Sequence, residues 1–157
     1  MRQAIFALAL LLAGCGGQVA GPSSPTGSSN VSATRGQFRA EARPGNLVAG
    51  GNVHYTLTVT GPIRYEAGCA HTLTVWVVDS QNREVWTPLV PQFDCFAIMN
   101  KSLQPGETAS LEVDWPTSPT LAAGRYTIHG LFLTVLPAGA GARVRENLPP
   151  LTIQITR

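Results

Sequence analysis

The sequence predicts an all-β domain, an immunoglobulin-like antiparallel β-sandwich of about seven strands, behind a signal segment and a flexible tether. Three observations carry this. Short runs alternate apolar and polar residues, turn residues separate them, and no segment sustains a helical period. Glycine (16) and proline (12) are abundant while charged residues make up only 13%, the balance of short strands joined by turns. A small barrel is the alternative closure of the same strands.

The strands follow in order. Gln37–Arg43 is the first. In Asn52–Thr60, Val53, Tyr55, Leu57 and Val59 alternate with His54, Thr56, Thr58 and Thr60, a half-buried strand. Thr72–Asp79 (TLTVWVVD) is β-branched and apolar on both parities near its end, as a central strand is. Glu84–Trp86 is a short strand after a turn. Thr108–Trp115 alternates again, with Leu111, Val113 and Trp115 on one face. Tyr126–Leu136 is long and apolar, and Gly130 inside it marks a bulge or a close backbone approach. Leu151–Thr156 closes the domain with Leu151, Ile153 and Ile155 inward. Gly61-Pro62, Gln81-Asn82, Pro105-Gly106, Ala123-Gly124 and the Pro137–Gly141 loop supply the turns. Trp76 and Trp115 both fall on the core parity of their strands.

Ahead of these strands, Arg2 precedes the apolar run Ala4–Ala13. As a helix that run extends roughly 15 Å, about half a bilayer's hydrocarbon core, so it has the layout of a cleaved signal and not of a permanent span. Leu12-Ala13-Gly14-Cys15 closes it and resembles the bacterial lipobox, which implies a lipid on the Cys15 sulfur. Residues 1–14 are then the signal peptide and residues 15–34 a lipid-anchored tether. The tether's Gly, Ser, Pro and Thr residues bury too little apolar surface to offset the entropy of ordering. Residues 35–157 form the sandwich, and the expected location is the bacterial cell envelope.

With Cys15 modified, two of the three cysteines remain, Cys69 and Cys95. In an exported, oxidising setting an even pair is expected to be bridged; two buried free thiols are the alternative. The stretch Trp86–Met99 (WTPLVPQFDCFAIM) is apolar for a loop. It either caps one end of the sandwich or forms a contact surface, with Trp86, Leu89, Val90 and Phe93 as the candidate binding residues.

The rest of the chain offers little chemistry. His54, His71 and His129 are scattered and no carboxylate stands at metal-ligand spacing, so no metal and no cofactor are expected. There is no nucleophile elbow and no phosphate-binding glycine loop, hence no catalytic residue to name. A net charge of +2 with no long basic run argues against nucleic acid as a partner. Trp76, Trp86 and Trp115 are core residues, or a platform for sugar rings.

Asp79 opens SQNREVW, ending in Val85-Trp86, and Phe93 follows in a loop. Then come Leu103-Gln104-Pro105-Gly106-Glu107, Trp115 and Gly124-Arg125-Tyr126. In this order and spacing the stretch from Val75 to Leu133 resembles the BsuPI-type proteinase inhibitor family. Asn82 stands where that family has glycine, and asparagine is the next best residue at positive φ. The resemblance implies a non-catalytic β-sandwich that binds a protein partner, a protease in particular; it marks no inhibitory contact. A structural module of the cell envelope and a carbohydrate-binding module are the alternatives.

Overall fold

The computed structural model of the chain describes residues 29–68, 72–89, 98–135 and 142–157. Cys15, the signal segment and most of the tether lie outside the described residues, as do His71, Cys69, Cys95, Val90, Phe93 and the Pro137–Gly141 loop. Among the described residues twelve strands are formed: β1 (Val31–Arg35), β2 (Phe38–Arg43), β3 (Asn46–Val48), β4 (Asn52–Thr60), β5 (Ile63–Gly68), β6 (Leu73–Val78), β7 (Glu84–Trp86), β8 (Ile98–Leu103), β9 (Thr108–Pro116), β10 (Gly124–Val135), β11 (Arg143–Asn147) and β12 (Leu151–Thr156). They make two sheets, the sandwich expected. One is four-stranded in the order β1-β2-β4-β9, and the other eight strands are organised around β10.

The alternation read from the sequence decides which side of each strand is inward. On β4, Val53, Tyr55, Leu57 and Val59 are buried while the residues between them are partly or fully exposed. β9 pairs with it antiparallel, setting Trp115 opposite Val53 and Leu111 opposite Leu57. From the larger sheet, Tyr126, Ile128 and Phe132 of β10 and Leu151, Ile153 and Ile155 of β12 face them. Each fully buried aliphatic or aromatic side chain of this kind stabilises by about 1.5–3 kcal/mol. Phe132 ties the layers together, its ring centroid 5.3 Å from that of Phe38 on β2 and 5.5 Å from that of Tyr65 on β5.

β10 is twelve residues long and serves as the spine of its sheet. It pairs with β12 over Gly124–Ile128 and with β11 over Leu131–Val135; on its other side it pairs with β6 over Thr127–Phe132 and with β5 at Thr134. Gly130 sits at the centre, and the close approach expected of it is present. A Cβ at this position would lie 2.7 Å from Leu148 Cδ1 and 3.4 Å from the Tyr55 hydroxyl. The Gly130 carbonyl accepts a hydrogen bond from the Leu148 amide at 2.9 Å.

Three expectations need correction. The expected strands are joined by five more: β1, β3, β5, β8 and β11. These carry weak or mixed patterns, such as IMNKSL on β8 and RVREN on β11, and owe their extended form to pairing: β1 with β2, β3 with β12, β11 with β10, and β5 and β8 with each other. The domain also begins before residue 35. β1 starts at Val31 and forms a hairpin with β2, so the last residues assigned to the tether belong to the sheet. Val31 and Ala33 pack against the core, which rewards ordering a segment whose composition reads as linker. Trp76, finally, does not share the core parity of Trp115. Val75 and Val77 point inward, and Trp76 lies half-buried on the outer face, stacked on His129 with centroids 5.4 Å apart. β6 is apolar on both parities, so its own pattern does not fix the register.

Candidate functional site

The turn between β6 and β7 is organised by one carboxylate. Asp79 Oδ1 accepts from the amides of Gln81 (2.8 Å) and Arg83 (3.0 Å), and Oδ2 accepts from Arg83 Nε (2.8 Å). The main chain closes the turn, with the Asp79 amide on the Arg83 carbonyl and the Asn82 amide on the Asp79 carbonyl. Asn82 takes φ 58°, the positive value expected of it. The Arg83 side chain, and then its amide, hold the Asp79 carboxyl below the usual carboxylate range.

From that turn β7 carries Trp86 to the rim of the core. Its ring lies 6.1 Å from Trp115, which in turn meets Tyr126 edge-on at 6.0 Å. Trp86 is half-buried and packs between the two sheets, so it anchors the segment that follows. Thr87 hangs on the Val75 carbonyl at 3.3 Å. Three residues beyond Trp86 the chain is fully outside, with Leu89 96% exposed. Of the four candidate binding residues, then, one is an anchor, one is presented to solvent, and Val90 and Phe93 lie outside the described residues.

Two further segments of the motif series are structural. Glu107 Oε2 accepts from the Gln104 amide at 2.7 Å, and Gly106 at φ 86° completes the turn. The Tyr126 hydroxyl donates to the Ala122 carbonyl at 2.8 Å, the bond of a tyrosine corner. Burial, and to a lesser degree the charge of Asp79, push the Tyr126 hydroxyl's pKa up.

A cleft of about 830 Å³ opens at the end of the sandwich where three turns meet. These are the β1–β2 turn at Gly36-Gln37, the β4–β5 turn at Gly61-Pro62 and the β8–β9 turn at Gln104–Glu107. Hydrogen bonds lace them together. Gln37 Nε2 donates to the Pro62 carbonyl (2.8 Å), the Thr60 amide to the Gln37 carbonyl (2.8 Å), and the Gly61 amide to the Glu107 carbonyl (2.8 Å). Gly61 is obligatory here, since a Cβ on it would fall 2.1 Å from the Gln104 carbonyl oxygen. Nothing in the sequence singled out this cleft. Its walls come from strand ends scattered between Arg35 and Asn147, and only the topology brings them together.

The titratable clusters elsewhere read as surface and rim. His54 stands on the outer face of the four-stranded sheet, with Nδ1 2.8 Å from Asp114 Oδ1 and Nε2 3.7 Å from Glu112 Oε2. Its hydrogen bond holds the Asp114 carboxyl below the usual range. Glu66 is 8% exposed and faces the Arg143 guanidinium, with Nη2 donating to Oε1 at 3.1 Å and Nε 3.0 Å from Oε2 in an unaligned ion-pair contact. Among the described residues, no group of three His, Cys, Asp or Glu is placed to hold a metal ion.

The sequence matches no protein-family model and no curated protein. Among solved structures the chain is similar to the C-terminal domain of Wzt, at 9% identity and a TM-score of 0.49, over 82% of this chain and 79% of that one. Such a likeness carries no argument about function.

Proposed function

We propose that the chain is a lipid-anchored, non-catalytic binding module of the bacterial cell envelope. The segment leaving β7 engages a protein partner, and inhibition of a protease is the form that its resemblance to the BsuPI-type inhibitors implies. The observation that supports this most is the contrast across four residues: Trp86 is fixed between the sheets while Leu89 is 96% exposed. The contacts of Trp86 and Thr87 brace the stem, which reduces the backbone entropy lost when Leu89 meets a partner. A structural role in the envelope is the competing reading, and it requires no such contact.

The test is a titration of the purified chain against serine, cysteine and metalloproteases, alongside Leu89→Asp. Stoichiometric loss of protease activity, weakened at least tenfold in the variant with its melting curve unchanged, is the expected result. No inhibition at micromolar concentration by the wild-type chain sets the inhibitor reading aside. Anchoring is tested separately by Cys15→Ser in a bacterial host. The variant is expected to leave the membrane fraction, and wild-type Cys15 to carry an acyl mass.

A further inference from the structure

We propose that the cleft at the three-turn end of the sandwich binds a small amphipathic anion, an alkyl or aryl carboxylate, independently of any contact made by the segment after β7. Its size lies within the range of pockets that hold small ligands, at about 300–1,000 Å³. Its floor is apolar. Phe38, held by its ring contact with Phe132, lies there with Ile63, Leu103 and Val135. That surface takes a hydrocarbon or aromatic body and excludes a fully polar ligand such as a free sugar phosphate.

The charge is what selects the head group. Arg35 and Arg64 both line the cleft, and among the described residues neither has a carboxylate within ion-pair distance. Arg35 spends one N–H on the Asn147 carbonyl at 3.2 Å and keeps the rest of its fork. Glu146 also lines the cleft, so the lining carries two cations to one anion. A carboxylate accepts two parallel bonds from a guanidinium, a match that a neutral head cannot make and a cationic one opposes.

The walls are braced in advance. The hydrogen bonds among Gln37, Pro62, Thr60, Gly61 and Glu107 fix the three turns relative to one another, so entry of a ligand orders little. An unbraced surface groove would lose its gain in contact to that ordering.

The experiment uses the full chain with Cys15→Ser, labelled with nitrogen-15, so that no attached acyl group competes. Hexanoate, octanoate and decanoate are titrated below their micelle concentrations and amide shifts are followed. Saturable shifts centred on Gly36, Leu103 and Val135 are expected, with affinity rising about two- to fourfold per added methylene. Decanol and decyltrimethylammonium, matched in chain length, are expected to bind at least tenfold more weakly than decanoate. Arg35→Gln with Arg64→Gln changes two exposed side chains; it is expected to remove that preference for the anion while keeping the dispersed spectrum. The proposal is overturned if decyltrimethylammonium binds as tightly as decanoate. It is equally overturned if the shifts spread over the sheets away from the cleft, or if no saturable shift appears.

Discussion

Replacing Gly130 by alanine tests how tightly the two sheets meet at the spine strand. Gly130 lies mid-strand in β10 opposite Val75, with no positive φ, so alanine suits its backbone. Restricting the unfolded chain then returns about 0.4–1 kcal/mol. Against this, the new Cβ falls 2.7 Å from Leu148 Cδ1 and 3.4 Å from the Tyr55 hydroxyl. Leu148 is only 3% exposed and its amide is bonded to the Gly130 carbonyl, so it has little room to retreat. Overpacking of that kind costs about 1–3 kcal/mol. The net expectation is a loss of about 0.5–2 kcal/mol, or a fall in Tm of about 2–8 °C. Urea denaturation measures it, with an unchanged slope confirming that stability alone has moved. Leu148→Ala by itself costs about 2–5 kcal/mol. In the double variant the alanine Cβ enters the vacated space, so the combined loss falls short of the sum by about 0.5 kcal/mol or more. A Gly130→Ala protein as stable as wild type, or a double variant that is strictly additive, refutes the close-approach account.

Other expectations concern the polar contacts and the cysteines. Asp79 has a depressed folded-state pKa, so its contribution is present above its unfolded value of about 3.9 and is lost as pH falls through the folded value. The stability gap between wild type and Asp79→Asn is therefore expected to be constant above about pH 5 and to narrow progressively as pH falls below it in urea titrations. Arg143→Ala leaves the buried Glu66 carboxylate without its cation and is expected to cost about 1–3 kcal/mol, part of which Glu66→Gln in the same background restores. Cys69 and Cys95 are expected to show no free thiol after unfolding under non-reducing conditions, and reduction to cost about 2–5 kcal/mol in thermal melts.

The strands whose pattern has a single period were legible in the sequence. Asn52–Thr60 and Leu151–Thr156 form over the same residues that the alternation marks, because burial on one face makes period two compulsory. The turns were legible too: Asn82 and Gly106 carry the positive φ their positions call for. What escaped depends on partners. β1 was hidden because Val-Ser-Ala-Thr-Arg reads as linker until Phe38–Arg43 is laid beside it. The outward face of Trp76 is not legible because both parities of β6 are apolar. The cleft has no local signature at all, since Arg35, Arg64 and Leu103 are distant in the chain. The segment after Trp86 is legible as unusually apolar for a loop, and Leu89, one of its described residues, is 96% exposed.

The place of β10 in the larger sheet fixes the order in which the chain can fold. β5 and β6 precede it in sequence and β11 and β12 follow, yet all four pair with it. During synthesis β5 can pair with β8 and β6 with β7, but these pairs join one sheet only once residues 124–135 are present. The hairpin of β1 with β2, and the pairing of β2 with β4, can form earlier from contacts nearer in sequence. Joining the larger sheet through β10 closes long loops, so it is expected to be the slow step of folding. Any change that weakens β10 is then felt first in how long the apolar strands of the N-terminal half stay exposed, and so in aggregation during folding before any loss of the finished structure.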